Sequence, residues 1–166
     1  MAKALEMMLE EFRQEAGTTR RVLERVPGDK LEWRPHARAR SLGELALHVA
    51  RIPGRVSRMA ELDEFDPSKR GAEPDSPTDV QEILAALEQS VHTAEEVFTT
   101  MTDEKAMGSW RLIVGEREIF KRPRIGVLRV MLLNHWYHHR GQLAVYLRIL
   151  DVPVPAIYGR SADEGP

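Results

Sequence analysis

The sequence predicts an all-α fold, a four-helix bundle with a small β-hairpin inserted between the third and fourth helices. Four long segments carry apolar residues at three- and four-residue steps, which places those side chains on one face of a helix. A shorter segment near residues 109–121 alternates apolar and polar residues, as strands do. No repeat or low-complexity stretch divides the chain, so we expect one domain over residues 1–166.

The first predicted helix covers about residues 2–26, and a proline-glycine pair at 27–28 ends it. The second begins at Ser41, because Ser41 and Glu44 have the spacing of a capping box, in which each side chain binds a free backbone N–H of the other. Pro53 lies inside this second pattern. Proline lacks a backbone donor and clashes with the preceding turn, so we expect it to kink or break the helix.

The stretch 63–77 is rich in proline, glycine and charge, which is typical of a surface loop. Thr78 and Gln81 have the spacing of a second capping box, so we expect the third helix to begin there. An apolar face then continues to about Met101.

The predicted hairpin spans residues 109–121 and turns at a glycine-glutamate pair at 115–116. Pro123 suits the first position of a helix, where its missing N–H has no partner to lose. The fourth helix is therefore expected over about residues 123–150.

Composition excludes several classes of function. The net charge is −2 and the isoelectric point about 6.3, whereas nucleic-acid binding calls for a concentrated basic face. No segment has the profile of a signal peptide or a membrane span, so we expect a cytoplasmic protein that binds neither membranes nor nucleic acid. The chain has no cysteine, which limits any metal ligands to histidine, carboxylate and water.

Three histidines occupy positions that the apolar period assigns to the interior. His135 and His139 lie one turn apart on the fourth helix, a spacing at which two imidazoles reach one ion. His48 lies on the buried stripe of the second helix. One such histidine is more often an ordinary core residue, but three without carboxylate partners favour a shared cation, because burying them alone is costly. We therefore predict a site for one divalent metal ion.

The same helical arithmetic places the neighbours of this pair. His138 is expected at the edge of the helix, and Trp136 and Tyr137 off the interior stripe, packed against another helix or another subunit. Gln142 is expected to face inward and to bond either a ligand or a buried backbone group. Arg140 is expected to point away from the stripe and to form an ion pair with helix one or three.

The string His135-Trp-Tyr-His-His139-Arg-Gly-Gln-Leu resembles the His-x-x-x-His-Arg-Gly-Gln signature of the DinB/YfiT-like family of metalloenzymes. The segment from Ser41 to His48 is similar to that family's first-ligand helix, and the stretches at 33–35 and 152–158 are also similar. The resemblance covers nearly the whole chain. It implies a four-helix bundle, usually dimeric, that holds zinc or nickel through His48, His135 and His139.

Characterised members of that family include metal-dependent transferases and an isomerase that use bacillithiol, mycothiol or glutathione. The resemblance thus favours a thiol S-transferase that acts on a small-molecule substrate as a homodimer. Two alternatives remain open: a hydrolase that uses a metal-bound water, and a non-catalytic metal-binding stress-response protein. The sequence nominates no general acid or base.

Overall fold

The computed structural model describes residues 3–69, 71 and 76–165, and the chain over these residues is mostly helical. The helices are α1 (Lys3–Leu23), α2 (Leu42–Glu61), α3 (Val80–Thr100), the short α4 (Asp103–Met107), α5 (Arg124–Val127) and α6 (His135–Ile149). A π-helical segment, Leu128–Asn134, joins α5 to α6, so the last three elements form one long helix. Within the described residues, no helix combines the length and apolar composition that a bilayer crossing requires.

A small three-stranded sheet contains the predicted hairpin. Strands β2 (Ser109–Val114) and β3 (Arg117–Pro123) pair antiparallel, and Gly115 makes the turn with a φ of 61°. A two-residue strand, β1 (Glu64–Phe65), pairs parallel with β2 at the other edge. The sequence prediction of a plain loop over 63–77 missed β1, because two residues are too few to show an alternating pattern. Residues 70 and 72–75 of that loop lie outside the described part of the chain.

The core lies between the long helices. Helix α2 packs along α3 and along the π segment and α6, while α1 closes the opposite side against α3 and α6. Aromatic rings join three of these helices, since Phe12 stacks on Trp136 and packs against Phe98. The fully buried side chains include residues from every long helix: Leu5, Phe12, Leu45, Leu47, Ile83, Phe98, Leu128 and Trp136.

The helix boundaries follow local capping chemistry. The capping box at the start of α2 is confirmed: Glu44 N–H donates to Ser41 Oγ at 3.2 Å, and Ser41 N–H donates to Glu44 Oε2 at 2.6 Å. The box predicted at Thr78 is wrong, because Asp79 is the N-cap of α3 and accepts from Glu82 N–H at 2.8 Å. Aspartate caps as well as threonine, so the sequence offered two adjacent starts.

The fourth long helix begins one residue later than predicted. Pro123 is the last residue of β3, and the first helical residue is Arg124. The side chain of Arg124 is buried and donates to the carbonyl oxygens of Ala60, Leu62 and Ser109. It therefore ties the start of this helix to the end of α2 and to the sheet.

Helix α2 runs through Pro53 without a break, so the break that the sequence analysis allowed for does not occur. Proline has no N–H to donate to the Val49 carbonyl four residues earlier. Trp136 of α6 supplies the missing donor, with its Nε1–H bonded to that carbonyl at 2.9 Å. On the other side, Gly54 N–H donates to Ser90 Oγ of α3 at 2.7 Å. Side chains of two neighbouring helices thus satisfy the backbone groups around the proline.

Replacing Trp136 with phenylalanine should destabilise the fold by about 1–3 kcal/mol beyond the lost ring volume, because the buried Val49 carbonyl loses its donor. Trp110→Phe is the matched control. Trp110 is equally buried and donates to the Met59 carbonyl at 3.1 Å, but that carbonyl also accepts from Leu62 N–H at 3.3 Å. Urea unfolding monitored by circular dichroism measures both variants. Equal losses of unfolding free energy would contradict this account.

Candidate metal centre

The structure brings His48, His135 and His139 together at one place between α2 and α6. One potential ligand atom from each residue lies within 4.8 Å of the others. The ring centroids are 4.5 Å apart for His48 and His139, 4.6 Å for His135 and His139, and 5.3 Å for His48 and His135. All three side chains are half-buried. Among the described residues, this cluster has the composition and spacing of a site that could hold a metal ion.

Helix geometry explains how these side chains converge. His135 is the first residue of α6 and His139 follows one turn later, so both imidazoles leave the same face of that helix. His48 faces them from α2, where its neighbours Leu47 and Val49 are fully buried. Two packed helices therefore supply all three imidazoles.

One of the three imidazoles, that of His139, also makes a hydrogen bond through the ring nitrogen that a metal would not occupy. His139 Nδ1 lies 2.8 Å from Gln142 Oε1, and an amide oxygen accepts only, so Nδ1 carries the proton and Nε2 keeps its lone pair. Histidines that bind metals commonly donate their other ring N–H in this way, which fixes both tautomer and orientation.

The π-helical segment leads directly into the helix that carries His135 and His139. His135 backbone N–H donates to the Leu132 carbonyl, three residues back, instead of the Met131 carbonyl, four residues back. Single π turns within α-helices often occur at functional sites. The sequence carries no signal for this segment.

The electrostatic surroundings keep the three imidazoles neutral. Burial lowers the pKa of His48 to about 3, and the nearby positive charge of Arg40 adds to that effect. Burial also lowers the pKa values of His135 and His139, with Arg40 again contributing. A neutral imidazole has the free lone pair that a metal ion requires.

The donor set fits a borderline divalent ion. Three neutral nitrogen ligands suit zinc, nickel, copper or iron(II), and they leave coordination positions open for water or substrate. Within the described part of the chain, the charged neighbours that act on the pKa values of these histidines are Arg40, Arg55 and the other histidines, and no carboxylate is among them. A shared cation would remove the cost of burying unpartnered imidazoles.

Residues next to the cluster lie partly where the sequence predicted. His138 is exposed, as expected, and its Nε2 accepts from Gln142 Nε2 at 3.1 Å. Gln142 bonds a cluster histidine, as one prediction had it, but its side chain is exposed and does not face inward. Tyr137 packs against a neighbouring helix, where its hydroxyl donates to Glu11 of α1 at 2.9 Å.

Two predicted orientations are wrong. Trp136 is fully buried between α1 and α2 and belongs to the core. Arg140 is also buried, although its predicted ion pair with helix one is present, to Glu15. The prediction assumed 100° per residue along the whole fourth helix. A π turn contains more residues than an α turn, so the segment before His135 shifts the phase of the apolar stripe.

Two features define the class of this protein: the chain is mostly helical, and its long helices bring three histidines together. The model of the DinB family matches residues 1–165, and the chain therefore belongs to the DinB family. It is 24% identical over 164 residues to the uncharacterised protein YrdA of Bacillus subtilis. The aligned residues cover 99% of this chain and 93% of YrdA.

Solved structures of DinB-like proteins share the fold. The structure of the DinB-like protein YjoA from Bacillus subtilis superposes on this chain with a TM-score of 0.72 at 16% identity. The superposition covers 93% of this chain and 99% of the YjoA chain. A DinB-like protein from Bacillus cereus has a TM-score of 0.70 at 22% identity, with coverage of 92% and 97%. A structure from Exiguobacterium sibiricum has a TM-score of 0.65 at 19% identity, with coverage of 94% and 97%.

Proposed function

We propose that this chain is a metal-dependent enzyme of the DinB/YfiT-like type, with one zinc or nickel ion held by His48, His135 and His139. The observation that supports this proposal is the convergence of three neutral imidazoles from two helices. We also interpret the four long helical segments as the four-helix bundle typical of such sites, in which facing helices supply the ligands.

The reaction that we propose is transfer of a group to the sulfur of a low-molecular-weight thiol. A bound ion would lower the pKa of that thiol. The positive charge of Arg40, which already acts on all three histidines, favours the anionic form of a thiol at the same place. The chain has no cysteine, so the sulfur must arrive with the cosubstrate. The sulfur then forms a bond to the transferred group, and the bond between that group and its leaving group breaks. The leaving group departs with the electron pair of the broken bond, and the thiol proton passes to water.

The test offers thiols and an electrophile to tag-free protein loaded with zinc or nickel. Bacillithiol, mycothiol and glutathione are each mixed with 1-chloro-2,4-dinitrobenzene, and the thioether is measured against the same concentration of free metal. We expect a rate above that of free metal with at least one thiol, and its loss in His48→Ala. Turnover of p-nitrophenyl acetate without thiol would instead support the hydrolase. A metal-loaded protein that turns over neither substrate would support the non-catalytic alternative and contradict an enzyme.

We further propose that the protein acts as a cytoplasmic homodimer on small molecules, without binding nucleic acid or membranes. The net charge of −2 supports the exclusion of nucleic acid. Exposed apolar side chains on two adjacent helical elements, Met7 on α1 and Val130 on the π segment, support an interface between copies. Sedimentation velocity tests the dimer, and a monomer at all concentrations would contradict it.

Gln142→Ala should weaken metal binding by about 10–100-fold, the usual effect of removing a group that orients a ligand. The reason is that Gln142 Oε1 holds His139 in the tautomer with Nε2 free. Gln142→Glu keeps the acceptor and should retain most of the affinity, while Gln81→Ala, an exposed position on α3, serves as the control. Competition with a chromophoric chelator measures the affinity. An unchanged metal affinity in Gln142→Ala would contradict the role of Gln142 in orienting His139.

A further inference from the structure

A cavity of about 490 Å³ opens beside the histidine cluster, with His135 in its wall. This volume is in the range of pockets that bind small molecules. Most of the wall is apolar and comes from the end of α2, from β1 and from the π segment: Val56, Met59, Leu62, Phe65 and Met131. Methionine side chains adapt to irregular ligand shapes, and Phe65 adds an aromatic ring.

The polar side chains of this wall are those of Arg55 and Arg58 and the neutral imidazole of His135. No carboxylate lines the cavity among the described residues. The two acidic residues that follow Leu62 are held elsewhere, since Asp63 binds Arg124 and Glu64 binds Arg111. They therefore do not neutralise Arg58.

Arg58 is the group best placed to bind an anion. Its side chain is exposed and forms no ion pair with the described part of the chain, so its donors remain available. A guanidinium binds a carboxylate through two parallel N–H bonds, which fixes the orientation as well as the position of the ligand. Because Arg58 and His135 line the same cavity, a small molecule bound to one is held close to the other.

We propose that this cavity binds the second substrate, and that this substrate is a small organic carboxylate with an apolar body. The apolar body contacts Met59, Phe65 and Met131, and the carboxylate binds Arg58. The inference rests on the proposed function, because the histidine cluster would present the thiol to a substrate in this cavity.

Binding is tested without turnover by NMR on full-length protein with ¹³C-labelled methionine methyl groups. The probe is 4-phenylbutyrate, and its neutral counterpart 4-phenylbutanol has the same body without the charge. We expect the methyl signals of Met59 and Met131 to shift on titration with 4-phenylbutyrate. The signals of Met7 and Met107, which are exposed outside the cavity, should stay in place.

Arg58→Gln should weaken 4-phenylbutyrate binding by about tenfold or more, because it removes both charge-assisted hydrogen bonds to the carboxylate, and should leave 4-phenylbutanol binding unchanged. Arg117→Gln is the matched control, because Arg117 is an exposed arginine on β3 away from the cavity. Leu62 is 52% exposed, so the Leu62→Asp variant should fold normally. It should weaken the binding of 4-phenylbutyrate more than the binding of 4-phenylbutanol.

The proposal is overturned if Met59 and Met131 do not respond, if the alcohol binds as tightly as the anion, or if Arg58→Gln binds the anion like wild type. Zinc content is measured on the same samples to separate this inference from the proposed function. Zinc bound without a response to 4-phenylbutyrate would contradict only the carboxylate subsite. A response that depends on Arg58, in protein that binds neither zinc nor nickel, would contradict the proposed function and leave the ligand class of the cavity standing.

Discussion

Alanine at His48, His135 or His139 should release the divalent ion that wild-type protein is expected to hold, at about one ion per chain. Each variant leaves two imidazoles, and structural zinc sites distribute about 10–16 kcal/mol of binding free energy among their ligands, so affinity should fall on the order of 100-fold or more. Plasma mass spectrometry on tag-free protein, dialysed against defined zinc or nickel, measures the bound metal.

Two histidines outside the cluster provide the controls for this series. His138 adjoins His139 on α6, and His92 lies on α3, where it pairs with Glu96 at 3.1 Å. Alanine at either position should leave the metal content unchanged. A bound ion also stabilises the fold, so a chelator should lower the melting temperature of wild type and not of the cluster variants. Wild-type protein that takes up no metal after reconstitution would contradict the predicted site.

Arg140→Met should destabilise the fold by about 3–5 kcal/mol, because it leaves a largely buried carboxylate without its cation. The Arg140 side chain is 1% exposed, and its Nη1 lies 2.5 Å from Oε2 of Glu15, whose side chain is 12% exposed. Nη1 also donates to Thr19 Oγ1 at 3.1 Å, and Nη2 donates to the Tyr158 hydroxyl at 2.6 Å. One guanidinium thus joins α6 to α1 and to the segment that follows α6.

Urea unfolding measures this loss, with a surface ion pair for comparison. Arg13 and Glu95 are 2.7 Å apart, but their side chains are 56% and 35% exposed, so Arg13→Met should cost no more than about 1 kcal/mol. The double variant Arg140→Met with Glu15→Gln should recover part of the loss, because it removes the buried charge. Equal losses for Arg140→Met and Arg13→Met would contradict the buried ion pair.

Much of the fold could be predicted from the sequence because helix periodicity and capping are local. The Ser41 box fixed the start of α2 to the residue, and the alternation around Gly115 predicted the hairpin. The convergence of His48 on His135 and His139 was predictable because all three follow apolar stripes that packing must bring together. The short elements β1 and α4 were missed, since too few residues form them to show a period.

The surroundings of the site could not be predicted in the same way, because they depend on departures from ideal helix geometry. The π segment changes the phase of the fourth helix, and the positions predicted for Trp136 and Gln142 were therefore wrong. The helix is not broken at Pro53 for another reason: side chains of neighbouring helices bond the backbone groups around it. Both effects belong to tertiary structure, which no window of the sequence contains.

The bond between Trp136 and Val49 sets the alignment of the two helices that carry the cluster. Val49 directly follows His48, and Trp136 directly follows His135, so this bond joins the residues next to two of the three histidines. Pro53, four residues after Val49, has no N–H to donate, so that carbonyl is open to a partner on another helix. Helix α2 thus lacks one of its internal hydrogen bonds, and the Val49 carbonyl bonds Trp136 instead. This bond limits the sliding and rotation of α2 against α6 at the level of the histidines.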